Sequence, residues 1–320
     1  MAQKGDLMTV RPDIRVLDAT IRDGGLVNNF MFTDEFINAL YRANVKAGID
    51  YMEFGYKASK ELFDVNKWKF CDEQDIRAIV GDNNSDMKIS VMADVGRCDY
   101  KKDILPKEES VIDMVRVATY VHQMPAAIEM IEDAKAKGYE VTCNIMAISN
   151  TQESDLDQAL NMVADSPADG IYIVDSYGAL YPEQIRRTAD KYTTLAEANN
   201  KYVGMHAHNN QQLAFANTIE ALSQGVSLLD ATMMGMGRGA GNCAMELLLS
   251  FLKNPKYNLF PVLKFIEEHM LPLQKSGAVW GYDIPYLLTG RLNQHPSAAI
   301  DYIKSGETNY SEFYTDLLDK

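Results

Sequence analysis

The chain has 320 residues and a net charge of −14 at neutral pH, and 47% of its residues are hydrophobic. That length accommodates one large α/β domain or two ordinary ones. Because the acidity comes with no basic run, nucleic acid and anionic membrane surfaces are not expected as partners.

Targeting and redox signals are also absent from the sequence. No apolar run is long enough to span a bilayer, and the first residues lack the apolar core of a signal peptide. The four cysteines have no CxxC spacing, so neither a disulfide framework nor a zinc knuckle is indicated. We therefore expect a cytoplasmic protein.

Strand and helix signals alternate along most of the chain. A helix is predicted from Thr33, a capping residue followed by two acids, to Gly48. Another is predicted over residues 125–137, with proline at its start and glycine just beyond its end. Further helices are predicted over residues 155–164, 182–199, 213–224 and 244–252. The predicted strands cover residues 15–21, 51–56, 88–93, 114–119, 140–147, 170–175, a segment beginning at Tyr202, and 227–234.

Eight strands separated by helices predict a (β/α)₈ TIM barrel, with a doubly wound open sheet as the main rival. The placement of polar residues favours the barrel, because eight strand ends then form one rim around one site. The polar residues at or just beyond predicted strand ends are Asp23, Glu53, Lys57, Asp94, His122, Asn144, Asp175, His206, His208 and Asn242.

The pattern changes after the predicted eighth helix. We expect a catalytic barrel over residues 1–253 and a helical C-terminal extension over residues 254–320, in which prolines separate short helices. The clearest of these are predicted over residues 260–270 and 285–292. The extension carries too many aromatic residues for a free linker, so we expect it to pack on the barrel or on a second subunit in a homodimer.

Two histidines mark the end of the seventh strand. Side chains two apart on a strand point the same way, so His206 and His208 converge. Asp23, after the first strand, supplies a carboxylate at the same rim. Mixed imidazole and carboxylate ligands with open positions suit Mn²⁺ or Mg²⁺, and Zn²⁺ is an alternative.

Other interpretations of these motifs stay open. Arg22 and Asp23 could form a structural ion pair, and Glu53 could be a buried barrel acid rather than a catalytic one. The glycines of residues 235–241 match a dinucleotide pattern, but no following βαβ half or ribose-binding acid supports it. Lys57 could act as a Schiff-base nucleophile, and the barrel could bind metal without turnover.

Four motifs stand in a fixed order: TIRDGG at residues 20–25, MEFGY at 52–56, HAHNN at 206–210 and GMGRGAGN at 235–242. Together they resemble the DRE-TIM metallolyase superfamily, and their spelling is most similar to the 4-hydroxy-2-oxovalerate aldolases. The superfamily also includes hydroxymethylglutaryl-CoA lyase and isopropylmalate synthase. The resemblance runs from Arg15 to about Glu246.

The resemblance implies that Asp23, His206 and His208 bind a divalent metal and that Arg22 steadies a developing enolate. Asn242 matches a metal ligand of the Claisen-type members. Further predicted site residues are Glu53 as a catalytic residue and Asp175, Ser176 and Asn144 as substrate contacts. The segment DSYGAL at residues 175–180 also resembles an aldolase segment that follows strand six.

The implied reaction is the metal-dependent aldol cleavage or formation of a 4-hydroxy-2-oxo acid through a pyruvate-type enolate. Its partners are a small 2-oxo acid and an aldehyde. A Claisen-type reaction on an acyl-CoA, or a catalytically altered metal-binding barrel, is the alternative.

One position departs from the family pattern. The aldolases carry a general-base histidine soon after the R-D-G motif, where this chain has Gly25, Leu26 and Val27. We expect His122 to take that role, with Lys57 as its rival and Tyr177 as a more remote candidate. His269 and His295 lie in the extension, and either reaches the site only if the extension folds over it.

Overall fold

The computed structural model describes residues 11–58 and 66–319. Eight parallel strands form a closed barrel in which each strand pairs with the next and the eighth pairs with the first. The strands are β1 (Arg15–Asp18), β2 (Tyr51–Lys57), β3 (Lys88–Asp94), β4 (Met114–Thr119), β5 (Glu140–Ile145), β6 (Gly170–Asp175), β7 (Tyr202–Ala207) and β8 (Leu228–Ala231). The predicted TIM barrel is therefore confirmed.

Helices surround the barrel and continue into the extension. Within the described residues, no helix is long and apolar enough to cross a membrane. The helices of the barrel are α1 (Gly25–Asn28), α2 (Asp34–Ala47), α3 (Glu73–Val80), α4 (Tyr100–Asp103), α5 (Met124–Ala136), α6 (Glu153–Asp165), α7 (Pro182–Ala198), α8 (Ala214–Ser223) and α9 (Met245–Phe251). Those of the extension are α10 (Leu259–Phe265), a π-helical turn (Ile266–Met270), α11 (Leu271–Lys275), α12 (Ile284–Arg291), α13 (Ser297–Ser305) and α14 (Tyr310–Leu318).

Local sequence signals explain where α2 begins and ends. The Thr33 hydroxyl accepts a hydrogen bond from Phe36 N at 3.1 Å, which satisfies one of the free donors of the first turn. Gly48 ends the helix with a φ of 75°, a conformation that glycine adopts without strain. A Cβ at Gly48 would also lie 2.3 Å from Lys256 O, so the start of the extension packs against this turn.

The first and last strands are shorter than predicted. β1 ends at Asp18 rather than at residue 21, and β8 ends at Ala231 rather than at residue 234. The buried Asp18 carboxylate accepts from Thr20 N at 2.9 Å and from the Thr20 hydroxyl, which turns the chain out of the strand. The same hydroxyl oxygen accepts from Met233 N at 2.9 Å. The loops after β1 and β8 are thus joined at the seam of the barrel.

A charged layer fills the barrel interior below its carboxyl end. Arg116 on β4 is fully buried, and its Nη1 lies 2.8 Å from Glu53 Oε2 on β2. Its Nη2 donates to Asp230 on β8, and its guanidinium stacks 4.2 Å from the centre of the Tyr172 ring on β6. The Tyr172 hydroxyl donates to Asp230 Oδ1 at 2.9 Å. Four alternate strands therefore contribute one layer, as in other TIM barrels, but here it is polar.

The extension packs along the barrel, and its division from the barrel at residue 254 stays a prediction. The Phe265 ring of α10 meets Phe36 of α2 edge-on at 5.2 Å. Trp280 Nε1 donates to Met234 O at 2.9 Å, in the loop after β8. Asn293 Nδ2 donates to Ser149 O at 2.8 Å, in the loop after β5. The extension therefore crosses from the outer helices to the carboxyl end of the strands. α13 and α14 were not predicted.

Two phenylalanines of α10 test this packing. Phe265 is 3% exposed and Phe260 is 71% exposed. Phe265→Ala should lower the free energy of unfolding by about 3–5 kcal/mol, because it leaves a cavity against α2. Phe260→Ala should change it by less than about 0.5 kcal/mol. Urea unfolding of both variants measures the difference, and equal losses would contradict the packing of α10 on its own barrel.

Candidate metal centre

Three side chains converge at the carboxyl end of the barrel. Asp23 lies in the turn after β1, His206 near the end of β7 and His208 just beyond it. The Asp23 Oδ2 atom lies 3.1 Å from His206 Nε2 and 3.6 Å from His208 Nε2. One ligand atom from each lies within 4.8 Å of the others, and all three residues are buried. This spacing and donor set suit one divalent cation.

The charged layer orients His206. Its Nδ1 lies 2.9 Å from Asp230 Oδ2, the carboxylate that also receives Arg116. A carboxylate on the far nitrogen fixes the tautomer and directs Nε2 toward the metal position, an arrangement common in metal sites. Asp230 therefore orients His206, one of the three candidate metal ligands. Asp230 was not predicted as a site residue, although a lone acid in the apolar strand LLDA is a usable signal.

The electrostatics keep two of the three groups, His208 and Asp23, in ligand form. Burial lowers the pKa of His208 to about 3, so the ring is neutral near pH 7. Burial acts against the Asp23 carboxylate, but His208, Arg22 and His206 together hold the pKa of Asp23 well below its usual range. Hydrogen bonds to Asp23 and Asp230 outweigh burial and raise the pKa of His206, so a cation at this position would displace a proton from it.

Two buried oxygens support the fit of a metal. Neither Asp23 Oδ1 nor Asn242 Oδ1 has a hydrogen-bond partner among the described residues. Asn242 donates its amide nitrogen to Met236 O at 3.4 Å, which leaves the oxygen free. Its backbone forms a bridge with His208, so the two loops adjoin. Leaving buried acceptors unpaired costs free energy, and a cation at this position would satisfy them.

Arg22 sits beside this group and is held by the layer below. Its Nε donates to Glu53 Oε2 at 2.8 Å, and its Nη1 lies 3.6 Å from Asp23 Oδ2. Its Nη2 is buried and has no partner in the described part of the chain. Glu53 is thus a buried acid that orients Arg22, and it does not line the cavity. The free Nη2 supplies a cationic donor next to the metal position.

A cavity of about 330 Å³ opens above these residues. Asn144 and Ser176 line it, so two of the three predicted substrate contacts lie at the site. The Ser176 hydroxyl accepts from Ala147 N at 2.8 Å, and Thr142 donates to Asn144 Oδ1 at 2.9 Å. The charged and titratable residues of the lining are Arg22, Asp23, Tyr56, Asp94, Arg97, Tyr120, His206, His208, Arg238 and His295.

Besides Glu53 and Asn242, three predicted site residues do not line this cavity. His122 is exposed in a short 3₁₀ helix (Val121–Gln123), where its ring stacks on Tyr120 at 5.7 Å. Lys57, the last residue of β2, donates to Cys71 O at 3.0 Å. Asp175 is buried and accepts from Ala179 N at 3.0 Å, and burial raises its pKa to about 7. Its observed contacts fix the turn after β6.

The structure also brings in residues that were not predicted as site residues. Arg238 lies in the last glycine-rich motif and was visible in the sequence, but no argument singled it out. Asp94, at the end of β3, was noted only as a strand-end acid. His295 reaches the cavity because the extension folds over the cavity. The strand and helix patterns of the sequence do not predict that packing.

A sequence model of the HMGL-like family matches residues 13–266. The chain belongs to the HMGL-like family. The matched range holds all eight strands, the three metal-ligand candidates and Asn242, but it ends before α11. His295 therefore lies outside the part of the chain that the family accounts for.

Two curated relatives cover most of the chain. A 4-hydroxy-2-oxovalerate aldolase from Thermus thermophilus is 31% identical over 277 residues, which are 84% of this chain and 78% of the relative. An oxaloacetate decarboxylase from Mycobacterium tuberculosis is 30% identical over 243 residues, which are 74% of this chain and 69% of the relative. A solved structure, the N-terminal domain of a putative aldolase from Bacteroides vulgatus, has a TM-score of 0.76 at 28% identity. It covers 91% of this chain and 96% of its own.

Substitution of one ligand tests the metal centre. His206→Ala should lower the affinity for Mn²⁺ by more than about 100-fold. Mutating a residue that only hydrogen-bonds to a metal ligand already lowers metal affinity by about 10- to 100-fold. His269→Ala is a matched control, because that histidine stacks on Phe265 in the extension. Calorimetric titration of the apo proteins, with circular dichroism to verify folding, gives both values. Equal Mn²⁺ affinity in the two variants would remove His206 from the metal centre.

Proposed function

We propose that this protein is a divalent-metal-dependent aldolase that cleaves or forms a 4-hydroxy-2-oxo acid through a pyruvate-type enolate. The observation that carries the proposal is the Asp23, His206 and His208 group beside the free donor of Arg22, at the floor of a cavity. The family and the relatives named aldolases support the same reaction class. A cytoplasmic location and a homodimer through the extension stay predictions.

Asp23, His206 and His208 would hold the metal, with Asn242 as a fourth candidate through its unpartnered oxygen. Mn²⁺ and Mg²⁺ fit the oxygen and nitrogen donors, and Zn²⁺ fits them as well. When bound, the metal supplies a Lewis acid that favours negative charge on a 2-oxo acid. Side chains of the protein would stabilise the enolate and transfer the proton.

Arg22 has the geometry to stabilise the enolate. Its Nε and Nη1 face Glu53 and Asp23, which fixes the guanidinium plane. Its Nη2 is left as a preorganised donor, and a fixed donor is most effective where charge develops in the transition state. Arg22 thus binds the reacting part of the substrate without moving.

Aldol cleavage also needs a group that takes the proton from the substrate hydroxyl. Asp94 lines the cavity, its Oδ1 has no partner among the described residues, and burial raises its pKa. A carboxylate with a raised pKa is an efficient base near neutrality, so we assign this step to Asp94. The geometry does not favour His122 or Lys57 for it, and the placement of Lys57 also argues against a Schiff base.

Decarboxylation of a 2-oxo diacid is the second candidate, since it produces the same enolate. The relative named oxaloacetate decarboxylase supports it, as does Arg238, an additional cation in the cavity lining. Deuterium exchange at the methyl group of pyruvate tests the shared enolate step in both. Exchange should require Mn²⁺ and should cease with a chelator. Absence of exchange in the Mn²⁺-loaded protein would contradict both reactions.

The guanidinium geometry of Arg22 makes a quantitative prediction. Arg22→Lys keeps the charge but loses the fork that Glu53 orients, so deuterium exchange should slow by about 10²- to 10³-fold. The affinity for pyruvate and the Mn²⁺ content should stay close to those of the unaltered protein. Arg97→Lys, on the same cavity, is the matched control. Near-normal exchange in Arg22→Lys would exclude Arg22 from enolate stabilisation.

The proton-transfer assignment is tested by comparing two variants. Asp94→Asn should lower the aldol rate by about 10²- to 10⁴-fold and remove the limb of the pH–rate profile on which activity falls as the carboxylate is protonated. The His122→Asn variant should retain that limb. Mn²⁺ content serves as the control in both proteins. Loss of the limb in His122→Asn alone would return the role to His122.

A further inference from the structure

The cavity lining includes two nitrogen-rich side chains that the proposed aldol chemistry does not use. Arg238 lies in the loop after β8, and His295 lies between α12 and α13; both line the cavity. The Tyr177 ring, in the loop after β6, meets the His295 ring edge-on at 5.8 Å. Three separate segments of the chain thus build this part of the lining.

Glycines and the extension fix the Arg238 loop. Gly241 has a φ of +84°, and a Cβ there would lie 2.1 Å from Gly235 O. Gly239 has a φ of +65° and faces the Tyr286 ring of α12. Only residues without a Cβ suit these positions. Arg238 is thereby held so that its Nη2 donates to Ser176 O at 3.1 Å.

The hydrogen bonds of His295 leave two donors facing each other. Its Nδ1 accepts from Ser297 N at 3.2 Å, so the neutral ring carries its proton on Nε2. That Nε2 lies 3.3 Å from Arg238 Nη1, which is also a donor. Burial and the Arg238 charge lower the pKa of His295, which keeps the ring neutral. The contact therefore lacks an acceptor.

Arg238 has a second unmet donor. Its Nε is buried and has no hydrogen-bond partner within residues 11–58 and 66–319. The other cavity arginines differ, since Arg22 is bonded to Glu53 and Arg97 Nη1 lies 3.7 Å from Asp94 Oδ2. Only the Arg238 donor is buried, since the His295 ring is exposed. A buried charged donor without an acceptor is costly, so an anion placed here would mainly satisfy Arg238, with His295 as a second donor.

We infer that Arg238 and His295 form a second anion-binding subsite, which takes a carboxylate or phosphate group on the part of the substrate that extends away from the metal. The inference rests on the proposed function, which places the other end of the substrate, the 2-oxo acid group, at the metal. Its consequence is selectivity: the substrate is a 2-oxo acid that bears a second anionic group, rather than one that ends in an alkyl chain.

Binding of matched ligands to the Mn²⁺-loaded protein tests the subsite. 2-Oxoglutarate and 5-methyl-2-oxohexanoate have nearly the same shape, but only the first ends in a carboxylate. Calorimetric titration should show tighter binding of 2-oxoglutarate, and Arg238→Met should weaken it by about 10- to 100-fold. The affinity for pyruvate should change little. Phosphonopyruvate provides the corresponding comparison for a phosphate-type group.

Two further variants sharpen the test. Arg97→Met removes the same charge from the same cavity and should weaken the binding of 2-oxoglutarate less than Arg238→Met does. His295→Gln should weaken that binding several-fold, because glutamine keeps one donor but in a poorer position. Equal binding of the two matched ligands, together with no gain for phosphonopyruvate over pyruvate, would overturn the subsite. A larger effect of Arg97→Met than of Arg238→Met would do the same.

Inorganic phosphate separates this inference from the proposed function. Titrated into the metal-free protein, phosphate should bind the unaltered chain and bind Arg238→Met at least about 10-fold more weakly. If pyruvate fails to bind the Mn²⁺-loaded protein while phosphate binding depends on Arg238, the proposed reaction is wrong and the anion subsite stands. If phosphate binds both proteins equally or neither, the subsite is wrong.

Discussion

The structure depends on the buried ion pairs that Arg116 makes with Glu53 and Asp230 inside the barrel. Each carboxylate also contacts a residue of the site: Glu53 accepts from Arg22, and Asp230 lies within hydrogen-bond distance of His206. With Asp23, this group contains two guanidinium cations and three carboxylates, so it carries one unbalanced negative charge while the histidines are neutral. Buried charge is tolerated only when it is paired and hydrogen-bonded. A divalent cation between Asp23 and the histidines would reverse this to one net positive charge, which an anionic substrate could then balance.

The two sides of the site are built from different parts of the chain. At the floor, every charged side chain is held by a partner from a strand, and strands position groups more precisely than loops do. The cavity wall around Arg238 is built by the loops after β6 and β8 and by the extension. Chemistry that is common to a family belongs on the floor, and selectivity among substrates belongs on the wall.

The sequence was sufficient for the features that follow from local pattern. Alternation along β7 places His206 and His208 on one side, and the βα order of the chain brings Asp23 to the same rim. The charged layer was not predictable in this way, because Arg116 is a lone cation in an apolar strand and its partners lie on β2 and β8. His295 was also out of reach, since its place depends on how the extension crosses the barrel. His122, at a predicted strand end, lies in a 3₁₀ turn that exposes its ring.

The hydrogen bond between Met233 N and the Thr20 hydroxyl joins the loops after the first and last strands. This closure has a consequence for synthesis of the protein. Asp23 and His206, which meet at the metal position, are 183 residues apart in the chain. A ribosome-bound chain that lacks β7 and β8 has neither the histidines nor the closing strand. Contacts over such separations form late, because closing the intervening loop costs entropy before they contribute. Asp23 and His206 therefore meet only in chains whose barrel is complete, and a metal that needs both ligands would bind at that stage of folding.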